Sequence, residues 1–159
     1  MKYPCDEGYQ YTRTLKLGCH KHRSPLDLEE AVMHSCNSYF CYVFRNMLEN
    51  PAYSGGTAEA FEAWERSVRS FGFGSPLGCD IPSELGGTIP SVSTYDRIYG
   101  RSHWKYSSVI SLSIGQGEIG VTPLQIANLS ATIANRGWYI TPHIVRSEKF
   151  VRHETMVDS

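Results

Sequence analysis

Apolar residues recur at steps of three and four along three separated stretches of this chain and alternate along only one short one, which confines the sequence to a mainly α architecture with little sheet. In the first stretch Leu28, Ala31 and Val32 share a face. It is introduced by Ser24-Pro25-Leu26-Asp27, an N-cap serine with a proline at the first helical position and an acid at the third, and the spacing predicts a helix to about His34. A second helix is predicted from about Ser38 to Glu49 on Phe40, Val43, Phe44, Met47 and Leu48. A third begins near Thr57, carries Phe61, Trp64, Val68 and Phe71, and stops at Gly72. Thr122-Pro123 opens a last helix through about Asn135, with Gly137 close after its end. Val109 to Ile114 alternates as a short strand would, residues 73–104 read as irregular chain, and residues 1–23 as loop or short hairpin.

A length of 159 residues with 41% hydrophobic residues suits one domain with a moderate core. We divide it into a Cys/His-rich loop region over 1–23, a helical subdomain over 24–146 and an unassigned tail over 147–159. Fifteen Lys plus Arg against sixteen Asp plus Glu, with no block of one sign, leave no footprint for nucleic acid and no polybasic membrane patch. No apolar run approaches the roughly 18 residues that cross a bilayer, and the N-terminus lacks an apolar signal-peptide core.

Ser35-Cys36-Asn37 lies between the first two predicted helices. Residues two apart on a helix point about 200° from each other, so Ser35 and Asn37 face one cleft only if the chain leaves helical geometry there. Such a pair suits acyl transfer: the hydroxyl passes a proton between a nucleophile's base and the leaving amine, and the carboxamide holds the substrate's peptide group. Alone, Ser-x-Asn is common, and its local reading is a helix end with a capping residue.

The surroundings are more specific. Ser24 to Phe40, then Cys79-Asp80-Ile81-Pro82-Ser83-Glu84, then Ile114-Gly115-Gln116-Gly117-Glu118 with Thr122-Pro123-Leu124-Gln125-Ile126-Ala127, resemble in order the second-motif region of class B penicillin-binding proteins and its sequel. The best match within them is the elongation-type subgroup, the penicillin-binding protein 2 enzymes, over roughly residues 5–146. The resemblance implies the helical part of the penicillin-binding protein and serine β-lactamase-like transpeptidase fold, lacking most of its β-sheet. It further implies a serine-type D,D-transpeptidase that cross-links peptidoglycan stem peptides and is acylated by β-lactams. For the parent protein it implies periplasmic location, an inner-membrane anchor and partners in the elongation machinery.

Enzymes of this family need Ser-x-x-Lys, then Ser-x-Asn, then Lys-Thr-Gly. Only the second can be placed, as Ser35 and Asn37, so the chain is expected to be a fragment that is inactive alone. Ser102-His103-Trp104-Lys105 spells the first motif but follows the second and lacks a helix-start signal. Gln116 and its flanking glycines lack the lysine of a phosphate-cradling loop; they look like the family's connection into the helix at Thr122.

Cys5, Cys19, His20, His22 and Cys36 gather three thiols and two imidazoles, enough for one tetrahedral zinc. Some elongation-type relatives place a metal site behind the second motif, and these positions look similar to it. Cys5, Cys19, His22 and Cys36 are the candidate ligands, His22 over His20 because its distance from Cys19 allows a turn. If Ser35 and Asn37 face the cleft, Cys36 points away, and a metal on it would pin the loop from behind. A Cys5 to Cys19 disulfide and free thiols are the alternatives; Cys41 and Cys79 read as small buried residues.

Two other functions fit the same residues, a zinc-stabilised helical binding module without catalysis and a β-lactam sensor of the same superfamily. Without the sheet that the family packs on these helices, apolar faces around Phe40, Phe44 and Trp64 should be uncovered and drive self-association.

Overall fold

The computed structural model describes residues 1–146 and 149–156, so part of the 147–159 tail lies outside the described residues. Its elements run β1 (Gly8–Gln10), β2 (Lys16–Gly18), α1 (Leu28–Met33), α2 (Asn37–Leu48), α3 (Gly56–Ser70), α4 (Val92–Tyr99), α5 (Tyr106–Val109), a 3₁₀ helix (Ile110–Ile114), α6 (Pro123–Ala134), β3 (Trp138–Ile140) and β4 (Arg152–Glu154). The mainly helical character expected from the periodicity is what the chain adopts.

The chain divides into two compact units, Met1–Phe61 with Val92–Gly117, and Glu62–Ser91 with the described residues from Glu118 onward. In the first, α1 starts three residues later than Ser24-Pro25 suggests. Leu26 exchanges both backbone hydrogen bonds with Tyr3, at 2.9 and 3.0 Å, which holds it extended. Asp27 therefore caps the helix, its carboxylate accepting from the Glu30 amide while the Glu30 carboxylate accepts from the Asp27 amide. Helix α2 buries Tyr39, Cys41, Phe44 and Leu48 while Val43 of the expected stripe stays exposed, and Phe44, expected to be uncovered, is only 5% exposed. Phe40 and Trp64 are half-buried. Apolar exposure falls instead on Leu28, Val32 and Met33 of α1. At the far end of this unit Phe61, Tyr95 and Trp104 pack ring against ring, with centroids 5.4–5.5 Å apart, contacts worth ~0.5–1.5 kcal/mol each beyond the area they bury. Tyr95 belongs to α4, a helix inside the region read as irregular; its signal was Val92, Tyr95 and Tyr99 at helical spacing.

Val109 to Ile114 forms no strand. It continues α5 as a 3₁₀ turn that buries Val109, Ile110 and Leu112 and closes at Gly115, whose φ of 71° supplies the left-handed stop. Val109 and Leu112, three residues apart, align in such a turn, whereas Ile110 and Leu112 would share a face of a strand, so apolar residues at these positions suit either geometry. Residues 1–23 contain the antiparallel hairpin of β1 and β2.

In the second unit, α6 is capped as expected, by Thr122 and Gln125 reciprocally. Gln125 then does more than cap. Its buried amide nitrogen reaches the carbonyls of Gly72, Ser75 and Gly86 at 2.8–3.1 Å. Gly87 makes that approach feasible, with φ of 65° and no room for a Cβ beside the Gly120 carbonyl and the Gln125 side chain. Glu84 accepts from the amides of Leu77, Gly78 and Cys79, and Asp80 from those of Ile144 and Val145, so both acids of the 79–84 segment serve to hold loops. Cys79 is half-buried rather than buried, its thiol 3.6 Å from Asp80. Within the region left unassigned, β4 pairs antiparallel with β3.

Candidate active site and metal centre

Helix α1 ends in a Schellman turn whose residues are those of the motif. The Cys36 amide bonds back to the Ala31 carbonyl at 2.9 Å and the Ser35 amide to the Val32 carbonyl at 3.1 Å. This turn requires a left-handed residue at Ser35, and Ser35 has φ of 48°. Glycine is the usual occupant because a Cβ there costs about 1–2 kcal/mol, so a serine at this point holds strain. Strain of this kind gathers at functional positions. Cys36 then turns extended and caps α2, its sulfur accepting from the Tyr39 amide at 3.4 Å, and Asn37 is the first residue of α2.

The chain therefore leaves helical geometry between the two residues of the pair. Ser35 and Asn37, with Phe40, Ser113 and Ile114, line an open cleft of about 270 Å³. Cys36, 1% exposed, turns the other way, into a cluster with Leu26, Ala31 and Tyr39. One Asn37 N–H donates to the Gly18 carbonyl at 2.9 Å, which fixes the amide plane and leaves its oxygen and second N–H for other partners. As cleft residues Phe40, Ser113 and Ile114, and Gly18 behind Asn37, were not foreseen: Phe40 was read as part of a helix stripe although it follows Asn37 by one helical turn, Ile114 as the start of a motif and Ser113 as part of a strand, and what brings Ser113, Ile114 and Gly18 to the pair is tertiary packing. Ser113 is itself anchored, its hydroxyl donating to the Ile110 carbonyl at 2.6 Å and lying 3.3 Å from the buried Cys41 thiol.

Behind this turn, Cys5, Cys19, His22 and Cys36 bring their ligand atoms to within 4.8 Å of one another. Cys5 and Cys19 flank the β1–β2 hairpin, joined by the Cys19 amide to the Glu7 carbonyl. All five cysteines are free thiols. His22 Nδ1 lies 2.6 Å from the Arg23 carbonyl. A carbonyl only accepts, so Nδ1 carries the proton and the Nε2 lone pair points to the Cys19 sulfur 3.5 Å away. The surroundings suit a metal-bound thiolate set: a buried Ser38 hydroxyl, without a hydrogen-bond partner among the described residues, stands against Cys5. Burial opposes ionisation of Cys5, but the Ser38 hydroxyl, the Gly8 amide and the neighbouring Cys19 and Cys36 thiols outweigh it and hold its pKa below the usual thiol value. Burial pushes the Cys36 thiol up to about 12, the Tyr39 amide offsetting part of this and the Cys5 sulfur adding to it. Three thiols and a tautomer-fixed imidazole fit a closed tetrahedral zinc site, whose charge would reverse the penalty on Cys36. His20 packs edge-on against the His22 ring and is outside the cluster.

Ser102 is no helix-opening nucleophile. It has φ of 63° in the turn between α4 and α5, and Lys105 precedes α5 rather than sharing a helix with it.

The sequence description of the penicillin binding protein transpeptidase domain matches residues 1–158. The chain is 34% identical to the peptidoglycan D,D-transpeptidase MrdA of Acinetobacter baumannii over 122 residues, 77% of this chain and 16% of that protein; it thus spans roughly a sixth of that relative. Among solved structures it is similar to the penicillin-binding protein (PBP2) from Helicobacter pylori, with a TM-score of 0.80 and 21% identity over 99% of this chain and 27% of the other. A complex between PBP2 and MreC from Helicobacter pylori matches with a TM-score of 0.78 and 22% identity over 97% of this chain and 27% of that one. At these identities the structural likeness establishes the fold.

Proposed function

Because this chain belongs to the penicillin binding protein transpeptidase family, we propose that it forms the Ser-x-Asn wall of an elongation-type peptidoglycan D,D-transpeptidase. The observation that carries this reading is that Ser35 and Asn37 open on one cleft while Cys36 between them faces the core. In the proposed mechanism the Ser35 hydroxyl relays a proton between the base of the nucleophilic serine and the leaving amine of the stem peptide. The Asn37 carboxamide, aimed by Gly18, binds the substrate's peptide group and holds its carbonyl for attack. β-Lactams would occupy the same cleft as acylating mimics of that peptide.

The serine nucleophile with its lysine, and the Lys-Thr-Gly strand, are not among these 159 residues, so we propose that the chain alone forms no acyl-enzyme. The elongation machinery, of which the MreC complex of the Helicobacter pylori neighbour is the supporting instance, would be the partner. The periplasmic face of an inner-membrane-anchored protein would be the location; among the described residues no helix is long and apolar enough to cross a membrane. Self-association is proposed through the exposed Leu28, Val32 and Met33 of α1, and light scattering at rising concentration tests it, a constant monomer mass counting against it.

Cys5, Cys19, His22 and Cys36 would hold a structural zinc. Bound there, the ion supplies a cross-link between the hairpin and the Ser35 turn. These residues hold Cys36 to the core side, so that the hydroxyl and carboxamide beside it stay on the other.

The test uses fluorescent penicillin on the isolated chain and on a chimera of the Acinetobacter baumannii relative with its matching residues replaced by these. The chimera should be labelled, its Ser35→Ala and Asn37→Ala forms tenfold or more slower, about 1.4 kcal/mol or more of barrier, and the isolated chain not at all. Labelling of the isolated chain at Ser102, or undiminished labelling of both variants, would overturn the assignment.

A further inference from the structure

We propose that the cysteine cluster is a peroxide-responsive clamp, in which Cys5 and Cys19 join as a disulfide, release the zinc and so free the turn that carries Ser35 and Asn37. The inference rests on the zinc reading above and adds to it a means of regulation. Three sulfurs lie within 4.8 Å of one another, so a sulfur–sulfur bond of about 2.05 Å requires two of them to draw together from a separation that is already short. The three are not equivalent. Cys5 and Cys19 are half-exposed and sit at the two feet of one hairpin, already tied by the bond from the Cys19 amide to Glu7. Cys36 is sealed from solvent at 1% exposure, and its sulfur caps α2 through the Tyr39 amide. An oxidant thus reaches Cys5 and Cys19 first, and pairing them disturbs neither α1 nor α2.

The electron balance is that of ordinary thiol oxidation. One thiolate displaces hydroxide from hydrogen peroxide and becomes a sulfenic acid; the second thiolate attacks that sulfur, forms the disulfide and expels a second hydroxide. Two sulfurs lose two electrons in all, the peroxide gains them, both hydroxides take protons from solvent, and the zinc departs as the aquated dication. Cys36 and His22 then lack the charge that held them to the hairpin, and the hydrogen bond from Asn37 to Gly18 is left to tie the hairpin to the turn.

The experiment loads the full chain with one equivalent of zinc chloride, adds hydrogen peroxide, and follows zinc with a chromogenic chelator while thiols are counted and peptides mapped by mass spectrometry. Zinc should appear in step with the loss of two thiols, with Cys5 and Cys19 in one cross-linked peptide. A dithiol reductant should restore zinc uptake. The Asn37 side-chain amide signal in NMR should shift on oxidation and return on reduction, and a Cys79→Ser chain should respond identically. A chain that takes up no zinc overturns this proposal and the zinc reading together. A chain that takes up zinc and keeps it through oxidation, loses it without a disulfide, or pairs Cys36 instead overturns the clamp alone.

Discussion

The Asn37 side chain donates to the Gly18 carbonyl at 2.9 Å, so the hairpin residue next to Cys19 aims an amide that also lines the cleft. Replacing Asn37 with Ala removes this bond while leaving helix α2 its Cys36 cap. We expect a loss of about 1 kcal/mol, read as a lower denaturant midpoint with unchanged slope, and an equal loss for the zinc-loaded and zinc-free chain.

Ser35 occupies the left-handed position of a Schellman turn, where glycine fits without strain. Ser35→Gly should therefore raise stability by about 0.5–1 kcal/mol while removing the proposed proton relay. Thermal unfolding of the chain and penicillin labelling of the chimera should move in opposite directions; a Gly form that is no more stable than the native one would refute the strain argument.

Chain purified without chelator should contain one zinc per molecule by metal analysis. His22→Ala and Cys36→Ser should lose it, and His20→Ala should keep it, since His20 is outside the cluster. Stripping the metal should lower the melting temperature, by an amount that grows with the logarithm of the zinc concentration used for reloading.

Helix α1 should respond to pH at both extremes. Asp27 is held below its ordinary carboxylate value first by the Glu30 amide and then by Lys2, and Glu30 first by the Asp27 amide and then by Lys2 and Arg23. Folded values below unfolded ones mean stabilisation present above the ordinary 3.8 and 4.5 and lost as pH falls through the lower folded values. Lys2 is raised above 10.5, chiefly by its hydrogen bond to Glu30, so its contribution is whole below 10.5 and lost as pH climbs through the folded value. Asp27→Asn should flatten the acid limb of a stability–pH curve; an unchanged limb would remove the capping box from the account.

Gln125, 1% exposed, serves three carbonyls and the Thr122 amide at once. Gln125→Leu keeps the volume and strands these groups in the interior, which should cost on the order of 3 kcal/mol. Hydrogen exchange should localise the damage to the unit containing α6.

Helices α2, α3 and α6 were legible because each carries a stripe or a cap that no other geometry uses as well. The Val109 to Ile114 stretch was misread because apolar residues alternating with serines satisfy a strand and a 3₁₀ turn alike, and only the fold around it decides. Helix α4 was hidden by neighbouring glycines and prolines. The Ser35 and Asn37 pair was singled out through the resemblance of Ser24 to Phe40 to the second-motif region, and helical geometry added only that the chain must break between the two for both to face one cleft. Ser113 and Gly18 could not be foreseen, because what brings them to Asn37 is tertiary packing. The clustering of Cys5, Cys19 and Cys36 and the three-residue gap from Cys19 to His22 could be read in the sequence, whereas the Arg23 carbonyl that fixes the His22 ring could not.

The alternation of Ser35, Cys36 and Asn37 between two environments also fixes the count of residues in that connection. One residue more or fewer between His34 and Ser38 would swap inside for outside, placing a sulfur toward solvent and a carboxamide in oil. The Asn50–Gly56 connection, held by local hydrogen bonds and without such an alternation, should accept an inserted residue at less cost than the shorter link, which tolerates exchange of side chains but no change of length.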